Sequence, residues 1–102
     1  MGYVTYWDAQ AENSERQTRL EGDLYTIGRH GDIKAHWMMA CVSRLHCGLF
    51  RIGSTFRIRD LNSHCGTKVN GVDIGNKDIL LKHGDIITVG RQGELSVTYW
   101  GG

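Results

Sequence analysis

Apolar residues in this chain come in short runs, many of them alternating with polar ones and broken by glycine or by Asn, Asp and Ser. No segment carries them at the three- and four-residue spacing of an amphipathic helix. Leu95-Ser96-Val97-Thr98-Tyr99-Trp100 alternates cleanly, the mark of a strand with one face buried. Leu45 to Ile52 and Phe56 to Leu61 predict a hairpin about Gly53-Ser54-Thr55, with Phe56, Ile58 and Asp60 on one face and Arg57 and Arg59 on the other. Arg51, Arg57 and Arg59 read as a solvated face. Tyr3 to Trp7, aromatic and β-branched, predicts a first strand, and the polar run Asp8 to Gln17 predicts a loop. Leu20 and Leu24 to Ile27 flank Glu21-Gly22-Asp23 and predict strand, tight turn and strand, ending at Gly28-Arg29. Asp32 to Ala35, Ile79 to Leu81 and Asp85 to Gly90 add short strands. His36 to Ala40 reads as a helical turn or a partly apolar loop, with Trp37 over the core. Ten or eleven short, mostly antiparallel strands predict an all-β fold, a β-sandwich.

Between two apolar segments lies Asp60 to Gly71, DLNSHCGTKVNG, crowded with polar turn-formers. Asn70-Gly71 is the dipeptide that best tolerates the two positive φ angles of a type I′ turn, which predicts a hairpin beginning near Thr67. Asn62 to Gly66 is then a strand-to-strand loop, and loops held by a rigid scaffold are where binding chemistry concentrates.

Composition narrows the function. A chain of 102 residues suits one domain, spanning 1–102, and a net charge of +1 excludes the broad basic footprint of a nucleic-acid binder. Any anion must be held by a local cluster. No run approaches the roughly 20 apolar residues of a membrane-spanning helix, so no membrane partner is expected. Cys41, Cys47 and Cys65 are odd in number and lack CxxC spacing, which predicts a reducing, cytoplasmic setting rather than a disulfide framework. No cofactor and no metal is expected.

Four pieces stand in order: Gly28-Arg29, Ser43-Arg44-Leu45-His46, Asp60 to Gly71, and Leu81 to Gly90 (LKHGDIITVG). Together they resemble the forkhead-associated domain, whose pattern runs Gly-Arg, Ser-x-x-His, Ser/Thr-Asn-Gly-Thr-x-x-Asn-Gly, then a Gly-Asp hairpin. The resemblance covers about Leu24 to Gly90. It implies a sandwich with its termini side by side, and binding loops at one end that recognise phosphothreonine in a partner polypeptide, without catalysis. Residue by residue, it implies phosphopeptide contacts from Arg29, Ser43, Arg44, His64 and Cys65, with Gly28, His46, Gly66, Thr67, Asn70 and Gly71 supporting the site. The chemistry suits those positions. Phosphothreonine carries about −1.5 to −2 charge and three acceptor oxygens, and an arginine fork meets two of them at once. The implied partner is a threonine-phosphorylated protein or peptide, and the module is expected to belong to a longer signalling protein.

Two positions depart from the family pattern. His64 replaces a Ser or Thr, and an imidazole can also donate to phosphate. Cys65 replaces an Asn that grips the peptide backbone, a task a thiol performs poorly. That departure keeps open a phosphate-independent scaffold or oligomerisation domain of the same fold. A thiol enzyme or sensor pairing Cys65 with His64 or His46 is the weaker reading, because adjacent loop residues point apart and no third group orients them. Zinc at Cys41, Cys47, His46, His64 and Cys65 lacks ligand pairs at finger-like spacing.

Overall fold

The computed structural model describes residues 2–8, 14–35, 39, 41–91 and 93–101. These form eleven strands: β1 (Tyr3–Asp8), β2 (Ser14–Arg19), β3 (Leu24–Gly28), β4 (Ile33–Lys34), β5 (Cys47–Ile52), β6 (Thr55–Asp60), β7 (Thr67–Val69), β8 (Val72–Asp73), β9 (Ile79–Leu80), β10 (Ile86–Val89) and β11 (Leu95–Trp100). One sheet has the order β2-β1-β11-β10-β7-β8 and the other β4-β3-β5-β6-β9. The pairing of β3 with β4 is parallel, and the other described pairings are antiparallel. The all-β sandwich expected from the sequence is the fold observed. No helix among the described residues is long and apolar enough to cross a membrane.

Alternation explains the packing. In β11 Leu95, Val97 and Tyr99 are buried, and in β6 Phe56 and Ile58 point inward while Arg59 is exposed. With Val4, Ile27, Leu49, Ile87 and Val89 they fill the space between the sheets. Each such side chain contributes about 1.5–3 kcal/mol through burial. Tyr3 pairs with Trp100, so the two ends of the described chain lie side by side.

Three expectations need correction. The polar run after Trp7 is not all loop, because Ser14–Arg19 forms β2 on the sheet edge, paired with β1. Its mostly exposed charged side chains guard that edge against further pairing. The segment about Glu21-Gly22-Asp23 is not a hairpin: β2 and β3 lie in different sheets, and the Leu20 amide donates to Gly2 while the chain crosses between them. Arg51 does not share the face of Arg57 and Arg59. It stands directly across from the inward-facing Phe56, where facing residues share a side of the sheet, and it pairs with Asp23. Trp37 lies outside the described residues, whereas Met39 packs partly buried on the core.

Asn70 and Gly71 have φ of 52° and 83°, and Val69 pairs with Val72 across them. This is the type I′ hairpin the dipeptide predicts.

Candidate functional site

The loops from β3 to β4, β4 to β5 and β6 to β7 meet at one end of the sandwich. Their approach begins at Gly28. A Cβ there would overlap the carbonyl oxygen of Arg44 and lie 2.8 Å from that of Ser43, so glycine is what permits backbone to lie on backbone. The Arg29 amide then donates to the Ser43 carbonyl at 3.1 Å, the His30 amide to the Arg44 carbonyl at 2.9 Å, and the His46 amide to the Ile27 carbonyl at 2.7 Å. Arg29 thus rises from a backbone fixed on both sides. Its side chain is half-buried with Nε enclosed, while Arg44 and His30 are exposed.

Ser43 links the second loop to the third. Its Oγ accepts the amide of His64 at 3.2 Å, and a hydroxyl that accepts one bond keeps its proton to donate elsewhere. Beneath it, buried His46 accepts the Ser43 amide on Nδ1 at 3.0 Å and donates from Nε2 to the Gly66 carbonyl at 2.7 Å. The neutral tautomer with its proton on Nε2 satisfies both bonds. One ring therefore sets the distance between the β4–β5 and β6–β7 loops.

The β6–β7 loop is braced from within by Asp60, at the inner end of β6. Its carboxylate accepts the Ser63 amide at 2.9 Å, the Ser63 hydroxyl at 2.5 Å and the Thr67 hydroxyl at 2.6 Å. Ser63 Oγ in turn accepts the Gly66 amide at 3.0 Å. Burial pushes the Asp60 carboxyl up, yet the Ser63 and Thr67 hydrogen bonds prevail and hold it below its ordinary value. The charged form therefore fastens this turn.

The structure brings Arg29, Ser43, Arg44, His64 and Cys65 to this end, with His64 exposed and Cys65 half-buried. Gly28, His46, Gly66 and Thr67 lie directly beneath them. Asn70 and Gly71 do not: Asn70 donates to Asp85 at 2.9 Å and accepts the Ile86 amide at 2.9 Å, bracing the start of β10 instead of the loops. Sequence reasoning left out Asp60 and Ser63 as bracing groups, and His30 as a third exposed basic side chain beside Arg44. The Asp-x-x-Ser spacing, typical of a side chain closing its own turn, was the available signal. It also missed that the Cys65 thiol hydrogen-bonds with Cys41, the first of the influences that raise it above its ordinary value. Cys47 differs: burial pushes its thiol up to about 12, against a hydrogen bond with Thr67. Among the described residues no three His, Cys, Asp or Glu side chains group as a metal site requires.

The family model of the FHA domain matches residues 25–90 of the 102. The chain belongs to the FHA domain family. The match spans the segments that carry the sequence resemblance and bears that resemblance out. This FHA domain is similar in fold to the Slr1951 protein from Synechocystis sp., with a TM-score of 0.78 and 28% identity over 98% of this chain and 97% of that one. It is similar to the FHA domain of FhaA in complex with the intracellular domain of Rv3910, with a TM-score of 0.74 and 25% identity over 97% and 99% of the two chains. A third similar structure belongs to an analysis of phosphothreonine-dependent FHA domain interactions, with a TM-score of 0.72 and 25% identity over 98% and 96%. No curated protein sequence matches the chain.

Proposed function

We propose that this FHA domain binds a phosphothreonine-containing segment of a partner protein through the loops at one end of its sandwich, as a non-catalytic interaction module. Arg29 supplies the fork for two phosphate oxygens, Ser43 donates its hydroxyl to the phosphate, and Arg44 and His64 add donors at the rim. Cys65 faces the peptide backbone. The observation that carries this reading is the link from Ser43 Oγ to the His64 amide, next to the bond from the Arg29 amide to the Ser43 carbonyl. Together they join three loops and their donors into one continuous surface. Donors held in place before the ligand arrives reduce the ordering cost of binding. The similar structures that involve phosphothreonine-dependent interactions and a complex with a partner's intracellular domain support the same reading.

A phosphate-independent scaffold of the same fold is the second reading. The observation in its favour is that the Cys65 thiol is engaged with Cys41 where the family places a backbone-gripping amide. Screening the wild type and Arg29→Ala against one library of phosphothreonine peptides separates the two. The proposal expects binders that Arg29→Ala loses; an identical profile for both proteins favours the scaffold.

A further inference from the structure

The three cysteines occupy two different settings. Cys47 is enclosed in the core beneath β7, where an oxidant in solution does not reach its sulfur. Cys41 and Cys65 are both half-buried, in the β4–β5 and β6–β7 loops. Those loops are pinned together immediately beside them. Cys65 lies between His64, whose amide reaches Ser43 Oγ at 3.2 Å, and Gly66, whose carbonyl accepts from His46 at 2.7 Å. Cys41 lies two residues before that same Ser43, in a turn closed by the Val42 amide on the Met39 carbonyl at 3.0 Å. The Ser43–His64 bond thus brings Cys41 and Cys65 to one junction, and hydrogen bonding with Cys41 is the leading cause that raises the Cys65 thiol above its ordinary value. Two thiols brought to one junction from separate loops form a cross-linking site once the loops let the sulfurs close to about 2.05 Å.

We propose that Cys41 and Cys65 form a reversible disulfide joining the two binding loops, and that this bond tightens the grip on the phosphopeptide; the second clause rests on the function proposed above. The oxidant is a hydroperoxide. One thiolate attacks its distal oxygen and breaks the O–O bond, giving a sulfenic acid and, after protonation, water or an alcohol. The second thiol then attacks the sulfenic sulfur and expels water as the S–S bond forms. Two thiols lose two electrons and two protons, and the peroxide takes up both. A dithiol reverses the reaction by exchange. Little binding is lost when the thiols are consumed, because a thiol is a weak donor. What is gained is further preorganisation: a covalent bond holds the two loops at their spacing more rigidly than the Ser43–His64 and His46–Gly66 hydrogen bonds do alone.

The test begins with fully reduced protein treated with stoichiometric hydrogen peroxide. Free thiols are then alkylated under denaturing conditions and the peptides mapped by mass. The expected product is a monomer with a Cys41–Cys65 linkage and an alkylated Cys47, returned to three free thiols by dithiothreitol. Cys41→Ser is expected to give no intramolecular linkage. Calorimetry with a phosphothreonine peptide is expected to give a Kd about threefold to tenfold lower for the oxidised protein than for the reduced one, with no such gain in Cys41→Ser. Three alkylated cysteines after peroxide, a linkage through Cys47 or only intermolecular dimers would overturn the disulfide. A linkage that leaves affinity unchanged or weaker would overturn its effect on binding. If no phosphopeptide binds in either redox state, the proposed function fails, while the mass map still decides whether the disulfide forms.

Discussion

His46 stands 2.7 Å from the carbonyl of Gly66 through Nε2, while its Nδ1 receives the amide of Ser43 at 3.0 Å. A single buried ring thus joins the two loops on both of its nitrogens, beside the Leu61 amide that donates to the His46 carbonyl at 2.9 Å. Its removal leaves the half-buried Ser43 amide and Gly66 carbonyl without these partners, each costing up to about 1–3 kcal/mol. His46→Ala is therefore expected to lose about 2–4 kcal/mol of stability and to weaken ligand binding together with it. Thermal melting and denaturant unfolding check this, and an unchanged midpoint would mean that the loops are held by other contacts.

Arg29→Ala makes the opposite prediction. Arg29 is half-buried among the binding loops and stands outside the core between the sheets, so the melting temperature is expected to stay close to that of the wild type. Charged hydrogen bonds contribute about 1.5–3 kcal/mol each, and losing two of them is expected to weaken phosphopeptide binding at least about a hundredfold. Calorimetry paired with circular dichroism separates this variant from His46→Ala. A folded Arg29→Ala that binds normally would remove Arg29 from the site.

Asp60 predicts a pH dependence of stability. Its folded-state value lies below the ordinary one, so the native chain binds fewer protons than the unfolded chain across that range. Its contribution is complete above the ordinary value of about 3.9 and is lost as pH falls through the folded value. Asp60→Asn removes that contribution. Melting temperatures from pH about 7 down to about 2.5 are expected to show a wild-type advantage that shrinks in acid. A gap independent of pH would show that the carboxylate's charge plays no part.

These sites differ in how far the sequence disclosed them. The hairpin at Asn70-Gly71 and the faces of Phe56, Ile58, Arg57 and Arg59 were legible because turn chemistry and alternation are local. β2 was not: Ser14–Arg19 lies on a sheet edge with mostly exposed side chains, so burial imposes no alternating pattern, and its partner β1 is set by the fold. The turn at Gly22 was visible, but alternation cannot say that Leu20 and Leu24 serve different sheets. Arg29, Ser43, His46 and His64 were legible through their order along the chain. The contact of Cys41 with Cys65 and the bracing by Asp60 follow from loop geometry, which that order does not encode.

Cys65→Asn tests how a peptide crosses the β6–β7 loop. An amide can both donate to and accept from a peptide backbone where a thiol does neither well, and a net hydrogen bond contributes about 1 kcal/mol. In reduced protein the variant is expected to bind phosphopeptide roughly fivefold more tightly. It is not expected to rescue Arg29→Ala, since holding the backbone does not neutralise the phosphate. An unchanged or weaker Cys65→Asn would mean that the peptide follows a different path.

Calorimetric titration with peptides of one sequence carrying phosphothreonine, phosphoserine or unmodified threonine tests phosphothreonine recognition most directly. The peptide sequence is taken from the strongest binder in a diverse phosphothreonine library. Saturable binding tighter than millimolar by the phosphothreonine peptide, and much weaker binding by the other two, is the predicted result. No phosphothreonine peptide in the library binding tighter than millimolar, or equal affinity for all three forms, would contradict it.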